Sequence, residues 1–179
     1  VAPDSYKGSV SALGVAQAME RGILKIHPDA EVLKMPIADG GEGTVEALVA
    51  ATGGELRHQD VSDPLGRRIR AHWGIIGDGR TAVIEMAAAS GLPLLASEER
   101  DPLRATTYGT GELLRAALDA GLRKIIIGIG GSATNDGGAG MARALGVRFI
   151  DAAGSELPDG GGALARLATV DLSQLDPRL

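Results

Sequence analysis

The sequence contains no cysteine, few aromatic residues and no excess of positive charge. Without cysteine there are no disulfides, thiolate metal sites, iron–sulfur clusters or cysteine nucleophiles. Aromatic residues make up 2% of the chain, too few for a stacking platform for single-stranded nucleic acid. Eighteen Lys and Arg stand against 23 Asp and Glu, and a net charge of −5 argues against nucleic acid or an anionic membrane as a partner. No apolar run approaches the roughly 20 residues of a transmembrane helix.

Glycine is the residue type in excess, with 27 among 179 residues. Average usage is about 7%. The glycines cluster at 38–43, 128–140 and 159–162, each time beside acidic or hydroxyl residues. This pattern is typical of loops in which the backbone approaches a ligand closely, and the alternative is a set of tight turns.

Hydrophobic periodicity and turn residues predict an α/β protein. The predicted helices run from an N-cap at Ser11 to Pro28 and over 44–51, 111–120 and 138–145. The predicted strands cover 31–35, 55–62, 67–76, 80–87, 123–129 and 147–151. Residues 55–87 are expected to form an antiparallel meander, and the remainder a parallel sheet with flanking helices, as in a Rossmann- or flavodoxin-like lobe. The strand at 124–127 is continuously apolar after Lys124 and is expected to be buried on both faces.

Near residue 60 the predicted elements change from alternating strands and helices to consecutive strands, and this change predicts two lobes. Residues 1–60 are assigned to part of a first α/β lobe. Residues 61–179 are assigned to part of a second α/β lobe that contains the antiparallel strands.

Three polar segments each lead from a predicted strand into a predicted helix: 3–8, 38–44 and 130–138. In open α/β sheets, ligands bind beyond the carboxyl ends of the strands. The first turn of a helix has free N–H groups and a favourable dipole for phosphate or carboxylate. We therefore expect the three segments to converge on one crevice for an anionic ligand.

The side chains in these segments suit phosphate chemistry. Lys7 can act as a point charge for phosphate, and Asp39, Glu42 and Asp136 are hard oxygen ligands of the kind that Mg²⁺ prefers. Side chains that can donate to phosphoryl or carboxylate oxygens are Ser132, Thr134 and Asn135. The alternative for the acids is a capping or turn role, and for Lys7 a solvated surface position.

Two nucleotide-binding patterns bear on the identity of the ligand. No glycine loop ends in Gly-Lys, so a Walker A loop is absent. Residues 128–133 match G-x-G-x-x-A after a strand, with Asp151 about 20 residues further on, which keeps an NAD-linked oxidoreductase as an alternative. Residues 133–138 separate this match from the next helix, where a Rossmann turn would already be helical.

Five motifs together resemble the type I bacterial glycerate kinase family. They are APDSYKGS (2–9), ADGGEGT (38–44), EMAAASGL (85–92), TTYGTGELL (106–114) and GIGGSATNDGGAGM (128–141). The resemblance continues to the final LDPRL, and Tyr6 stands where phenylalanine is usual. Members are about twice as long, so the chain resembles an amino-terminal half with both ends cut. The resemblance implies a two-lobed α/β fold with the cleft between the lobes.

The resemblance also implies transfer of the ATP γ-phosphoryl group to D-glycerate, giving 2-phosphoglycerate, with 3-phosphoglycerate left open. The catalytic residues are then expected to be Asp136, Lys7 and Asp39, with Asp136 and Asp39 holding Mg²⁺. The expected substrate- and nucleotide-binding residues are Asp4, Ser5, Gly40, Gly41, Glu42, Glu85, Ser90, Gly130, Gly131, Ser132, Thr134 and Asn135. We expect a cytoplasmic enzyme with glycerate and ATP as its partners. A non-catalytic nucleotide-binding fragment is the other alternative, since half of an active-site cleft should not catalyse the reaction.

Overall fold

The computed structural model of the chain describes residues 1–6 and 9–179. Its helices are α1 (Ala12–Ile26), α2 (Thr44–Thr52), α3 (Ala87–Ser90), α4 (Tyr108–Asp119) and α5 (Ala139–Ala144). Its strands are β1 (Glu55–Ser62), β2 (Arg68–Ile75), β3 (Thr81–Glu85), β4 (Lys124–Gly128), β5 (Arg148–Asp151) and β6 (Leu167–Asp171). Short 3-10 helices lie at Leu92–Leu94, Ser97–Glu99 and Gly161–Arg166. None of the described helices combines the length and the apolarity needed to cross a bilayer.

The main sheet is mixed and has the strand order β1-β2-β3-β4. β1 and β2 form a long antiparallel hairpin, and β2 pairs with β3 in the same way. β4 then lies parallel to β3, with Thr81 opposite Lys124 and Glu85 opposite Gly128. The antiparallel meander predicted over 55–87 and the α/β class are therefore confirmed.

Helices cover the two faces of this sheet. On one face, Trp73 and Ile84 pack in the main hydrophobic cluster with Leu113 and Leu114 of α4. On the other face, α2 lies so close to β2 that a Cβ at Gly74 would fall 2.4 Å from a methyl group of Val49. Successive residues of a strand point to opposite faces, so the sheet needs apolar residues at nearly every position of β3. All five residues of β3 are buried.

The helix α1 is confirmed at its predicted start. The hydroxyl of Ser11 accepts the N–H of Gly14 at 3.2 Å, as expected of an N-cap. The helix ends at Ile26, and Pro28, two residues later, lacks the N–H that continued helix would need.

The strand predicted at 31–35 is not formed as a regular strand. Residues 33–37 nevertheless run parallel to residues 1–3, because Met35 donates its N–H to the carbonyl of Val1 and Ile37 donates to that of Pro3, at 2.8 and 3.0 Å. Proline has no N–H, so Pro3 cannot supply the next bond of a parallel ladder. The parallel arrangement of these two stretches was predicted correctly, but their hydrogen bonds are too few and too interrupted for a regular strand.

Two further predictions are wrong. Residues 148–151 do form a strand, but β5 pairs antiparallel with β6 in a separate two-stranded sheet and does not extend the parallel part. The strand β4 is not buried on both faces: Ile126 is 43% exposed. β4 is the last strand in the order, and among the described contacts α2 packs on β1, β2 and β3. The lobe boundary proposed near residue 60 falls inside β1 and stays a prediction.

Candidate active site

Three loops meet at the carboxyl ends of β3 and β4. They are residues 38–43, 86–91 and 129–138, which we call loop A, loop B and loop C. Loop C is joined to loop A by the N–H of Gly130, which donates to the carbonyl of Gly40 at 2.9 Å. Loop C is joined to loop B by the N–H of Ala133, which donates to the carbonyl of Ser90 at 2.9 Å. The sheet therefore brings two of the predicted polar segments into direct contact.

The contact between loops A and C is made by backbone against backbone. A Cβ at Gly130 would lie 2.7 Å from the Cα of Gly41, and a Cβ at Gly128 would lie 2.5 Å from the carbonyl oxygen of Gly40. Gly40 itself has φ of 92°, a left-handed conformation that side chains rarely adopt. The excess of glycine at this edge therefore has a packing reason.

Replacing Gly130 with alanine is expected to destabilise the protein by about 1–3 kcal/mol, because backbone must move to admit the methyl group. Gly22 provides the matched control. It lies inside α1, and a Cβ there would meet nothing within 4 Å. Gly22→Ala should stabilise the protein by about 0.5–1 kcal/mol, since alanine is the better helix former. Equilibrium urea unfolding of both variants measures the difference, and equal midpoints would contradict the close approach of the loops.

Residues 1–3, which lead into the first polar segment, run beside residues 33–37. Because the two stretches are parallel, their carboxyl ends lie side by side. Asp4 and Ser5 follow the carboxyl end of residues 1–3, and loop A follows that of residues 33–37. Asp4 is exposed, and its carboxylate accepts the N–H of Ser5 at 2.6 Å. Lys7 lies outside the described residues.

Loop A presents two exposed carboxylates, Asp39 and Glu42. Asp39 uses one oxygen, Oδ1, to accept the N–H of Gly41 at 2.8 Å, which holds the turn and fixes the direction of the side chain. Mg²⁺ keeps several waters and is bound by one or two carboxylates together with substrate phosphates. An exposed carboxylate on a fixed turn fits a hydrated ion of that kind.

Loop C presents hydroxyl and amide groups. The hydroxyls of Ser132 and Thr134 are half-buried and lie 2.9 Å apart, and the Ser132 hydroxyl also accepts the N–H of Thr134. Asn135 is exposed. Gly131 has φ of 75°, which turns the chain away from β4 before these residues. The arrangement can supply hydrogen-bond donors to a bound oxyanion.

Asp136 is not available in the same way, because its side chain is buried and fully engaged. It is 1% exposed. Its carboxylate accepts the N–H of Thr107 at 2.8 Å, the hydroxyl of Thr107 at 2.9 Å, and the N–H groups of Gly138 and Gly140 at 3.1 Å each. A carboxylate held by so many donors suits a structural cap better than a metal ligand or a proton acceptor. The catalytic and metal-binding roles expected for Asp136 stay predictions.

Two more of the expected binding residues are buried. Ser90 in α3 shares a hydrogen bond of 2.8 Å with the hydroxyl of Thr110. Glu85, at the end of β3, is 2% exposed and accepts the N–H of Val45 at 2.6 Å. Burial raises the pKa of Glu85, and the N–H of Val45 opposes that rise. Both side chains are therefore enclosed by the protein, where they support this edge of the sheet.

The N-terminal ends of α2 and α5 are thus capped by carboxylates that lie outside the two helices. Both helices begin after a glycine, Gly43 or Gly138, which offers no side-chain cap. Glu85 supplies the acceptor for α2, and Asp136 supplies it for α5. Negative charge at these helix ends is favourable. The free N–H groups expected for a phosphate are therefore partly taken by the protein itself.

The dinucleotide pattern at 128–133 is not followed by a helix. α5 begins at Ala139, after ten residues of loop, and Asp151 lies in the separate β5–β6 sheet. A Rossmann turn needs the pyrophosphate directly at a helix N-terminus and the acid on the neighbouring strand. The structure does not favour this alternative.

One supporting residue was missed from the sequence. Thr107 binds Asp136 through its N–H and its hydroxyl, and that hydroxyl also accepts the N–H of Met141 at 2.9 Å. It therefore ties α4 to the start of α5. The TTYGTG string at 106–111 was a signal for it, but nothing in the string indicated its partner.

The chain is similar to known proteins over its whole length. The model of the glycerate kinase family matches residues 1–179. The chain is 61% identical to a glycerate 2-kinase of Escherichia coli K12 and to a glycerate kinase of Bacillus subtilis 168, and each match covers all of this chain and 47% of the relative. A crystal structure is known for a Salmonella typhimurium LT2 protein that is assigned as a glycerate kinase 2. It is 61% identical to this chain with a TM-score of 0.86, and the match covers 99% of this chain and 48% of the Salmonella chain. The chain therefore spans about half the length of these relatives.

Proposed function

Since the chain belongs to the glycerate kinase family, we propose that it contributes one side of the active site of an ATP-dependent kinase that phosphorylates D-glycerate. The proposed product is 2-phosphoglycerate, in keeping with the name of the Escherichia coli relative. The observation that carries the proposal is the meeting of loops A and C at the carboxyl ends of β3 and β4, with exposed acids and hydroxyl groups on the two loops.

Phosphoryl transfer requires mainly positioning and electrostatic stabilisation. In the reaction, a glycerate hydroxyl oxygen forms a bond to the γ-phosphorus, the bond from that phosphorus to ADP breaks, and the hydroxyl proton passes to a base. We assign the proton-accepting or Mg²⁺-holding carboxylate to Asp39, since it is exposed and oriented by its bond to Gly41. The Mg²⁺ that accompanies ATP supplies charge neutralisation on the phosphates.

The remaining expected residues receive supporting roles. Ser132, Thr134 and Asn135 would donate hydrogen bonds to carboxylate or phosphoryl oxygens. Glu42 would assist the metal, and Lys7 keeps its expected role as a point charge for phosphate. Asp136 is assigned to positioning, because it fastens loop C to α4 through Thr107. A cytoplasmic location, where ATP is plentiful, is part of the same proposal.

The test uses a full-length chimera in which residues 1–179 replace the matching part of the Escherichia coli relative. We expect the chimera to form phosphoglycerate from D-glycerate only with Mg²⁺ and ATP, and phosphorus NMR to identify the 2-phospho isomer. Residues 1–179 alone should form none. NADH is the matched control: it should not raise the melting temperature of the chimera, whereas Mg²⁺·ATP should. A folded chimera that forms no phosphorylated product would overturn the proposal.

A further inference from the structure

Beneath the first turn of α2 lies a cluster of three side chains with metal-ligand chemistry. Glu46 comes from α2, His72 from β2 and Glu85 from the end of β3. One ligand atom of each lies within 4.8 Å of the other two. The cluster is on the face of the sheet that α2 covers, behind loop A, and it takes no part in the function proposed above.

His72 has an unused nitrogen in this cluster. Its Nε2 atom is buried and makes no hydrogen bond among the described residues. The nearest charged atom is Oε1 of Glu46 at 3.2 Å, in a geometry that does not make a hydrogen bond. A buried polar atom without a partner is costly, and such atoms are rare in folded proteins. A neutral imidazole nitrogen is a common metal ligand, and here it lies beside the carboxylate of Glu46 and near that of Glu85.

The charges of the cluster also favour a cation. Glu85 is buried, and Glu46 places a second carboxylate beside it. Two carboxylates close together repel each other, and a bound divalent cation removes that repulsion.

The three ligand atoms lie within 4.8 Å of one another, so small side-chain movements would bring them to the spacing of one ion. Zinc binds imidazole nitrogen and carboxylate oxygen at about 2.0–2.2 Å, so two ligands of a tetrahedral ion lie about 3.4 Å apart. The 3.2 Å between His72 and Glu46 is already close to that separation. Glu46 is on the exposed side of the cluster and can turn without disturbing the core. A carboxylate has two oxygens, so Glu85 can keep its bond to Val45 while it binds a metal.

We propose that Glu46, His72 and Glu85 form a site for one divalent first-row transition metal ion, for which Zn²⁺ is the probe. Imidazole selects such ions over Mg²⁺, which prefers oxygen ligands alone. The ion joins α2 to β2 and β3 and so fixes the helix that directly follows loop A. Its fourth position is open to water.

The experiment compares Zn²⁺ binding by the metal-free chimera and three of its variants in isothermal titration calorimetry. His72→Gln and Glu46→Gln each remove one ligand, and both are expected to weaken binding at least tenfold. His27→Gln is the matched control, since His27 lies at the exposed end of α1 and outside the cluster. Glu85→Gln is avoided because Glu85 also caps α2. Circular dichroism verifies that each variant is folded.

A second measurement reports the ligands directly. Co²⁺ in place of Zn²⁺ should give visible absorption bands in the chimera and in His27→Gln, and these bands should be lost in His72→Gln. Equal Zn²⁺ affinity in all variants would overturn the proposal, because binding would then come from elsewhere. The absence of Zn²⁺ binding in the unaltered chimera would overturn it too.

Discussion

Asp136→Asn is expected to lower the free energy of unfolding by about 3 kcal/mol, although it removes a single charge and hardly alters the shape of the side chain. The carboxylate accepts N–H groups from Thr107, Gly138 and Gly140, as well as the hydroxyl of Thr107. An amide has one oxygen and one NH₂ group, so at least one of these N–H groups would face another donor inside the protein. Hydrogen bonds to charged groups contribute about 1.5–3 kcal/mol each, and a buried donor without a partner costs about as much.

Urea unfolding of the chimera measures this loss, and Asp39→Asn is the control. Asp39 is exposed and accepts a single N–H, so its replacement should cost less than about 1 kcal/mol. Unchanged stability in Asp136→Asn would contradict the capping role. Turnover measured where the variant is still folded then decides the catalytic role expected for Asp136: a fall of about 10² or more would support it.

Asp39→Asn is expected to have the opposite profile, with a fall in kcat of about 10²–10⁴ and little change in stability. A group that accepts a proton in the transition state is worth about that factor. The turn should survive, because an asparagine side-chain oxygen can still accept the N–H of Gly41. The loss therefore reports the charge of the side chain and not the shape of loop A.

Steady-state kinetics of the chimera with D-glycerate and Mg²⁺·ATP test this expectation. Asp29→Asn is the matched control, since Asp29 is exposed in the turn after α1 and lies outside loop A. Partial recovery of kcat at high Mg²⁺ would indicate a metal-holding role for Asp39, and no recovery would indicate a base. Normal kcat in Asp39→Asn would remove Asp39 from the proposed chemistry.

Local patterns predicted most of the elements of this fold. The Ser11 cap, the glycine stops and the Asp-Pro-Leu-Gly turn before β2 act within a few residues, so their signals are readable from sequence. The position of β4 at the end of the sheet and the antiparallel pairing of β5 depend on distant segments. Apolar residues alone could not distinguish a central strand from one with an exposed face.

The site was predictable as a set of loops but not as a set of roles. Glycine beside acidic residues correctly indicated close approach of backbone, and the structure joins loops A and C. Whether an acid faces solvent or caps a helix depends on what packs behind it. Glu85 reaches a helix 40 residues earlier in the chain, and Asp136 reaches Thr107 from 29 residues away. The same distance hid the cluster around His72, whose three members share no local motif.

The backbone contact between loops A and C limits how the protein can be redesigned. Gly128 and Gly130 leave no room for side chains, and Gly40 has a left-handed φ that side chains rarely adopt, so a library that randomises these three positions would consist mostly of misfolded members. The two loops also cannot be exchanged separately with those of another enzyme, since the backbone of each packs directly against the backbone of the other. Changes in substrate preference are more readily sought at exposed positions of the same two loops, Glu42 and Asn135.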